Sequence, residues 1–407
     1  MNTGTKKGIM SGIRVLDFGR VICAPMCARN FADMGAEVIK VETGGGDFVR
    51  THPPFYKGGS FGALFTQYNA GKKAIYLNLQ KPEGIELARK LIAVSDVVIE
   101  NFRPGVFDEM GLGYEELKKL NKGIIMCSIS GFGQHSSERE RIAYADIIHA
   151  YSGMEYMEMR IMGEGSDPPG FAYSYADTYS GLNATISILA ALFHRQRTGE
   201  GQYIDLALLD CTVAANDSTL QGFIFSEGAI DKSNMPKLPF RMKDGHMTFS
   251  AILAWTKLAP AMGRPELAED PRFITDEVRM KPENAAEVLK IVKEWAKDVT
   301  LAEAAVLFEK YGVPNSKVNS LADLLNAPVV HERQIVVDVE VEPGQPPVKV
   351  MNSAIRFSDF PMVPRGRPPY LGEHNSEVLK EILGMKDEEI ERLSQEKVLR
   401  RDPKAPK

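Results

Sequence analysis

The sequence predicts an α/β protein, with a doubly wound parallel sheet in a large domain and a second, smaller α+β domain. Two patterns predict this fold. Apolar strand-like runs alternate with helical patterns up to about residue 210, which favours a parallel sheet with helices on both faces. The alternation then fades, and amphipathic helices follow. The 407 residues are 44% hydrophobic and 25% charged, which is ordinary for a globular chain of more than one domain.

The predicted elements of the large domain follow one another as βα units. The first unit consists of the strand IRVLDF (13–18), a helix that ends at Gly35, and the strand EVIKVE (37–42). The next predicted elements are a strand at 72–79, a helix at 82–95, a strand at 96–101, a helix at 113–121 and a strand at 123–133. Such βαβ units imply parallel pairing, and a doubly wound sheet buries both faces of the strands.

Three segments divide the chain. Residues 1–224 form the N-terminal part of the large domain, 225–330 the small domain, and 331–407 a proline-rich crossing that ends in a helix. Within the small domain, Thr300 and Glu303 have the spacing of a capping box at the start of an amphipathic helix.

Composition and charge exclude several classes of function. The net charge of −5 and the pI of about 5.9 come from mixed signs without a basic stripe, so nucleic acid is not an expected partner. The longest apolar run, Ile186 to Phe193, is too short to span a bilayer, so we expect a cytoplasmic protein that has no membrane partner. The four cysteines and seven histidines show no metal-ligand spacing, and no metal is expected.

The turns of the predicted sheet lack the glycine patterns of nucleotide-binding folds. GRVICAPMC follows the first strand without GxGxxG, and no GxxxxGK[ST] occurs. The loop ENFRPG follows the strand at 96–101, where parallel sheets bind ligands. Asn101 supplies an amide, Phe102 an apolar face and Arg103 a guanidinium that suits a phosphate. The simpler interpretation is a Pro-Gly turn with a solvated arginine.

Asp177 lies directly before the long apolar run of YADTYSGLNATISILAALFHRQ (175–196). As a helix cap it would accept backbone N–H bonds worth about 1 kcal/mol. As a nucleophile it would gain from the positive end of the helix, which keeps a carboxylate ionised. The two roles are compatible, and the residues alone leave both open.

Several motifs together resemble the class III CoA-transferases over essentially the whole chain. They are GIRVLDFGRVICAP, MGAEVIKVE, NAGKKAIYLNL, ENFRPGVFDEMGLGYEEL, SGFGQ, YADTYSGLNATISILAALFHRQRTGEGQYIDLALLD and RPPYLGEHNSEVL. The resemblance implies an interlocked-ring dimer, in which two subunits thread through each other. It also implies that both ends of the chain form the large, CoA-binding domain, so that residues 331–407 return to it.

The resemblance implies a reaction as well. Asp177 matches the catalytic aspartate, which would carry CoA as an aspartyl-CoA thioester between two carboxylic acids. The CoA thioester is then a substrate, and no permanently bound cofactor is implied. The implied CoA contacts are Val21, Ile22, Lys40, Lys72, Asn101, Phe102, Arg103 and Arg141. Ile22 replaces a glutamine of a relative, and Glu109 stands where relatives commonly place Lys or Arg.

Two alternatives exist within and beside this family. The α-methylacyl-CoA racemases resemble it but use a His–Asp pair, and this sequence has Ala145 at the position of that histidine. His149 lies four residues on, in an apolar stretch typical of a structural histidine. The other alternative is a non-catalytic subunit of a heteromer. The presence of the catalytic aspartate of the family, at Asp177, argues against this alternative. The chain is therefore expected as a homodimer or as a heterodimer with a homologous subunit.

Substrates are predicted from the family and from one segment. The Tyr and Met residues of 151–175 favour an aryl or otherwise bulky acid, although core packing explains them equally well. With the resemblance, this favours succinyl-CoA as donor and an aryl dicarboxylate such as benzylsuccinate as acceptor, as in anaerobic aromatic catabolism. Carnitine, oxalate and aryl-lactate transferases remain open.

Overall fold

The computed structural model describes residues 8–56, 59–162, 165–216, 218–227, 239–342 and 344–406. The chain divides into two compact units. The first contains residues 1–215 and 331–407, and the second contains residues 216–330. The sequence predicted the first division at 224/225, whereas the contacts place it at 215/216, before the helix Ser218–Phe225.

The first unit alternates strands with helices up to residue 214. Its strands are β1 Arg14–Asp17, β2 Glu37–Glu42, β3 Lys73–Tyr76, β4 Val97–Glu100, β5 Ile125–Ser130 and β6 Gln202–Ala207. Its helices are α1 Cys23–Asp33, α2 Ala63–Asn69, α3 Pro82–Ala93, α4 Val106–Glu109, α5 Tyr114–Leu120, α6 Ala145–Tyr151, α7 Met154–Met162, α8 Tyr175–Thr198 and α9 Leu208–Ala214. No helix in the described part of the chain is long and apolar enough to cross a membrane.

The second unit is smaller and mostly helical. In chain order its elements are α10 Ser218–Phe225, β7 Phe240–Arg241, β8 His246–Phe249, α11 Trp255–Ala261, α12 Asp276–Arg279, α13 Pro282–Ala296, α14 Leu301–Tyr311, β9 Asn315–Lys317 and α15 Leu321–Asn326, and α16 Pro328–Glu332 leads out of it. The three strands form an antiparallel sheet, and α14 begins with the predicted capping box of Thr300 and Glu303. Its core surrounds the fully buried Trp255 and Phe308.

The C-terminal segment returns to the first unit. It contains β10 Val336–Val339, β11 Val348–Met351, α17 Asn375–Leu383 and α18 Asp387–Gln395. The antiparallel pair β10–β11 was not predicted, because the prolines beside it hide the alternation of VVDV and VKVM. Tyr76 on β3 donates its backbone N–H to Asn375 Oδ1 at 2.9 Å, which ties α17 to the central sheet.

The central sheet has six parallel strands in the order β3-β2-β1-β4-β5-β6. In β1, Leu16 lies opposite Ile39 of β2 on one side and Val98 of β4 on the other. This confirms the predicted doubly wound fold. The strand order reverses between β1 and β4, and in such sheets ligands bind in the crevice beyond the carboxyl ends of the strands at this point.

Each face of the sheet is buried under helices, as expected for parallel strands. Val15 of β1 and Ile99 of β4 belong to a core that includes Ile188 of α8 and most of the apolar residues of α1. Leu16 of β1 and Val98 of β4 belong to the core on the opposite face, which α3, α17 and α18 cover. The helices α1 and α8 therefore share one face of the sheet with each other, and this face carries Asp177.

Candidate active site

A cleft lies at the reversal point of the sheet, between the segments that follow β1 and β4. It has a volume of about 350 Å³. Its lining comprises Arg20, Val21, Cys23, Phe48, Asn101, Phe102, Arg103, Pro104, Ile129, Ser130, Gly131, Arg139, Glu140, Arg141, Ile142, Ala143, Tyr144, Asp177 and Leu208. The cleft therefore combines one partly buried carboxylate, at Asp177, with several arginines.

Asp177 is the third residue of the 24-residue helix α8. It does not cap this helix. The thiol and the backbone N–H of Cys23, the first residue of α1, both donate hydrogen bonds to its carboxylate. The Asp177 side chain is thus directed across to α1 and into the cleft.

The close approach of α1 to α8 depends on Gly181, one helical turn after Asp177. A Cβ atom at position 181 would lie 2.9 Å from the Cys23 carbonyl oxygen and 3.1 Å from the Met26 sulfur. One turn further along, Thr185 Oγ1 accepts a hydrogen bond from Asn30 Nδ2 at 3.1 Å. The two helices are therefore in contact over about three turns, and this contact fixes Cys23 beside Asp177.

Burial raises the pKa of Asp177 to about 6, and Asp146 contributes in the same direction. The hydrogen bonds from Cys23 oppose this rise because they favour the charged carboxylate. Burial and the neighbouring Asp177 also raise the pKa of the Cys23 thiol well above its ordinary value, so the thiol keeps its proton and can donate it. At neutral pH the carboxylate is mostly ionised, as a nucleophile requires, but it is poorly solvated.

His149 caps the start of α8. Its Nε2 accepts the backbone N–H of Ala176 at 3.1 Å, and Phe171 lies against its ring. Burial lowers the pKa of His149, which keeps it neutral and able to accept. Ala145, at the position of the racemase histidine, is buried at the start of α6 and offers no base.

Five of the residues implied as CoA contacts line the cleft together with Asp177. They are Val21, Asn101, Phe102, Arg103 and Arg141. Within the described residues no ion pair or hydrogen bond holds the exposed Arg103 guanidinium. Arg141 instead lies over the rings of Phe132 and Tyr151, with its guanidinium carbon 5.5 Å and 5.1 Å from the ring centroids.

The structure does not bring the two implied lysines to the cleft. Lys72 Nζ pairs with Asp17 Oδ2 at 2.7 Å, and Lys40 Nζ pairs with Asp47 Oδ2 at 3.2 Å, with all four side chains fully buried. Although burial disfavours a charged Asp17, Lys72 and Lys40 hold its pKa below the usual range. Both ammonium groups are therefore used inside the fold and not for phosphates.

Two further positions lie away from the cleft lining. Ile22 lies in the turn before α1, and its side chain is only 7% exposed. This apolar side chain cannot make the polar substrate contact that a glutamine at its position would offer. Glu109 is exposed at the end of α4.

Comparison with known proteins decides the family. The sequence matches the family model of CoA-transferase family III over residues 10–375. The chain belongs to this family. The enzyme is a CoA-transferase, which confirms the predicted class.

Relatives of this CoA-transferase match along nearly all of its length. It is 35% identical to the succinyl-CoA–L-malate CoA-transferase beta subunit of Chloroflexus aurantiacus, over 96% of this chain and 98% of that protein. It is 35% identical to the succinyl-CoA:glutarate CoA-transferase of Mus musculus, over 94% of this chain and 88% of that protein. The solved structure of a CAIB/BAIF family protein from Brucella suis is 32% identical and has a TM-score of 0.79, covering 93% of this chain and 100% of that one.

Two residues that line the cleft, Cys23 and Arg139, were not predicted from the sequence. Cys23 was considered only as one of four cysteines without metal-ligand spacing, yet it is the first residue of the helix that follows β1. Residues at such a helix start lie at the ligand-binding edge of a parallel sheet, and this position was the available signal. No pattern in the sequence indicated a site at Arg139, because it lies in a run of mixed charges. In the structure its guanidinium pairs with Glu140 at 2.9 Å.

Replacing Gly181 by Ala should separate α1 from α8. Overpacking costs about 1–3 kcal/mol, and the better helix propensity of Ala returns up to about 1 kcal/mol. We therefore expect a lower free energy of unfolding in urea and a lower kcat. Gly170→Ala is the control, because no atom lies within 4 Å of a Cβ at that position. A Gly181→Ala enzyme with higher stability and unchanged kcat would contradict this account of the helix contact.

Proposed function

We propose that the enzyme transfers CoA from succinyl-CoA to a dicarboxylic acid, and that Asp177 carries CoA as an aspartyl thioester. The observation that supports this most is the carboxylate of Asp177, poorly solvated and held by Cys23 in a cleft lined with arginines. An ionised carboxylate that has lost part of its hydration is a stronger nucleophile than one in water.

The proposed reaction preserves the activation of the acyl group. An Asp177 oxygen attacks the thioester carbonyl of the donor, which forms a mixed anhydride and releases CoA thiolate. The thiolate then attacks the aspartyl carbonyl, and the donor leaves as a free acid that takes one oxygen from Asp177. An aspartyl-CoA thioester remains. The acceptor carboxylate attacks this thioester, and the returning CoA thiolate takes the acceptor acyl group and regenerates Asp177.

The hydrogen bonds of Cys23 have a function in these steps. When CoA thiolate or the acceptor attacks the aspartyl carbonyl, negative charge develops on an Asp177 oxygen. The backbone N–H of Cys23 already donates to this carboxylate, so it can stabilise the charge without reorganisation. The partly buried position of the carboxylate limits access of water, which would hydrolyse the anhydride and the thioester.

The proposed CoA contacts are the cleft residues Val21, Phe102, Arg103 and Arg141. The guanidinium of Arg103 is the strongest candidate for a phosphate contact, because no described residue uses its donors. Asn101 also lines the cleft.

The proposed acceptor is a small dicarboxylic acid. Two relatives are named as transferases that use succinyl-CoA with L-malate or with glutarate. The arginines of the cleft offer a partner for a second carboxylate. The Tyr and Met residues of 151–175 do not line the cleft, so the aryl dicarboxylate stays a prediction of the sequence alone.

A test of the nucleophile uses succinyl-CoA without an acceptor. We expect borohydride reduction to mark the peptide that contains Asp177, detected by mass spectrometry, in the wild-type enzyme only. Asp177→Ala and Asp177→Asn should lose the mark and at least about 10⁴-fold of kcat, the usual scale for a covalent catalytic group. A transferase that stays active without Asp177 would exclude the proposed mechanism.

The acceptor is tested with a panel of malate, glutarate, mesaconate and benzylsuccinate, with butyrate as the monocarboxylate control. A charge-assisted bond to the second carboxylate is worth about 1.5–3 kcal/mol, so kcat/KM should be at least about ten times higher for the preferred dicarboxylate than for butyrate. Equal values for butyrate would contradict a dicarboxylate site. Preference for benzylsuccinate would support the aryl prediction.

We also propose that the enzyme is a dimer of two copies of this chain. Along α8, Leu182, Ile186 and Phe193 are 47%, 64% and 62% exposed, and they leave an apolar stripe open on the helix that carries Asp177. Light scattering should give twice the chain mass of 45.0 kDa. Ile186→Lys should lower this mass, whereas Lys118→Glu on α5 should not. A wild-type monomer that becomes dimeric only with a copurifying homologous chain would favour the heteromer.

A further inference from the structure

The turn between β1 and α1 has an unusual backbone. Val21 has a φ of +69°, in the left-handed region. A β-branched residue there is a genuine outlier, and such a strained conformation persists only where the surrounding structure imposes it. Two residues later the chain reaches Cys23, which donates to Asp177. The strained turn therefore sets the position of the groups that hold the proposed nucleophile.

Asn101, at the end of β4, holds this turn from one side. Its Oδ1 accepts the backbone N–H of Arg20 at 2.8 Å, and its Nδ2 donates to the Arg20 carbonyl at 2.9 Å. Both polar backbone groups of the residue before Val21 are thus fixed by a single side chain. The same Nδ2 also donates to the Cys23 sulfur at 3.4 Å.

The buried pair of Asp47 and Lys40 holds the turn from the other side. Both carboxylate oxygens of Asp47 accept the Val21 N–H, each at 3.3 Å. Lys40 Nζ pairs with Asp47 and also donates to the Gly19 carbonyl at 2.8 Å. Because the Asn101 and Asp47 bonds act on adjacent residues, the turn has little freedom to relax toward negative φ at Val21.

We propose that Asn101 is a positioning residue for Asp177 and acts through the turn and Cys23, not primarily through CoA. The hydrogen-bond chain runs from the Asn101 amide to the Cys23 sulfur, and from the Cys23 thiol to the Asp177 carboxylate. This proposal rests on the proposed role of Asp177 as nucleophile, and it differs from the CoA contact that the family resemblance implies for Asn101.

Charged and titratable groups from three helices act on Asp177. Cys23 on α1, Asp146 on α6 and Tyr68 on α2 act on it directly. The arginines and Glu140 of the cleft share its surroundings. Among the described residues that act on Asp177 directly, Cys23 favours the charged carboxylate, so loss of its bonds moves the Asp177 pKa further above its ordinary value.

The first test is Asn101→Ala, measured as kcat, as KM for succinyl-CoA and as the pH profile of kcat/KM. We expect kcat to fall by about a hundredfold, the usual loss for a misplaced reacting group. The acid limb should move to higher pH because Asp177 then loses a proton less readily, while KM changes little. Arg103→Ala, two residues away in the same loop, should raise KM and leave the acid limb in place.

A second pair of variants tests the link through the thiol. Cys23→Ala should move the acid limb upward, and Cys23→Ser should restore it, because the hydroxyl can accept from Asn101 and donate to Asp177. These small substitutions are expected to fold, and thermal melting checks each variant. The wild-type borohydride mark on Asp177 separates this proposal from the proposed function, since its absence overturns the nucleophile itself.

The opposite result is equally clear. If Asn101→Ala raises KM for succinyl-CoA while kcat and the acid limb stay unchanged, Asn101 is a CoA contact and the positioning role is wrong. If Cys23→Ala leaves the acid limb unchanged, the hydrogen-bond chain through the thiol is wrong.

Discussion

The contact between the start of α1 and the first turn of α8 is the constraint on which the site depends. Cys23 donates two hydrogen bonds to Asp177 across this contact. Neither group would meet the other without Gly181, since a Cβ atom there would press on the Cys23 carbonyl. Burial of the carboxylate, its pKa of about 6 and its direction into the cleft all follow from the same helix pair.

Two buried ion pairs help to fix the start of α1 and therefore its contact with α8. Lys72 binds Asp17 at the end of β1 and also donates to the Pro25 carbonyl in the first turn of α1 at 3.0 Å. Lys40 joins Asp47 to the turn that precedes the same helix. Each ammonium group has a carboxylate partner and further hydrogen bonds, which is the condition for burying such charges. The buried polar residues of the central sheet thus orient the start of α1.

The sequence predicted the sheet from physical patterns, and it predicted the position of Asp177 from a motif of the family. Runs such as VLDF and EVIKVE are buried on both faces, and their spacing with helices allows few arrangements other than a parallel sheet. Asp177 precedes a long apolar run in a motif of the family, so its position near the start of a helix was predictable. The position of Arg103 in the cleft lining was also predictable, because it follows a strand end at the binding edge.

The roles of Lys40, Lys72 and Cys23 were not predictable, because they depend on partners distant in the chain. A lysine at a strand terminus can point toward ligand or into the protein, and only the positions of Asp17 and Asp47 decide this. In the same way, the value of Cys23 depends on α8, more than 150 residues later, which packs against it through Gly181. Spacing in the sequence describes single elements well and contacts between distant elements poorly.

The most direct test of the proposed mechanism follows the transfer of carboxylate oxygen atoms to and from Asp177. In the proposed mechanism the acceptor acid forms an anhydride through one of its own oxygens, and that oxygen stays on Asp177 when the acyl group leaves as its CoA thioester. A single turnover with an acceptor labelled with ¹⁸O in its carboxylates should therefore add 2 Da to the peptide that contains Asp177. Continued turnover should label the released succinate as well. Complete transfer of CoA without label in that peptide would contradict the covalent role of Asp177.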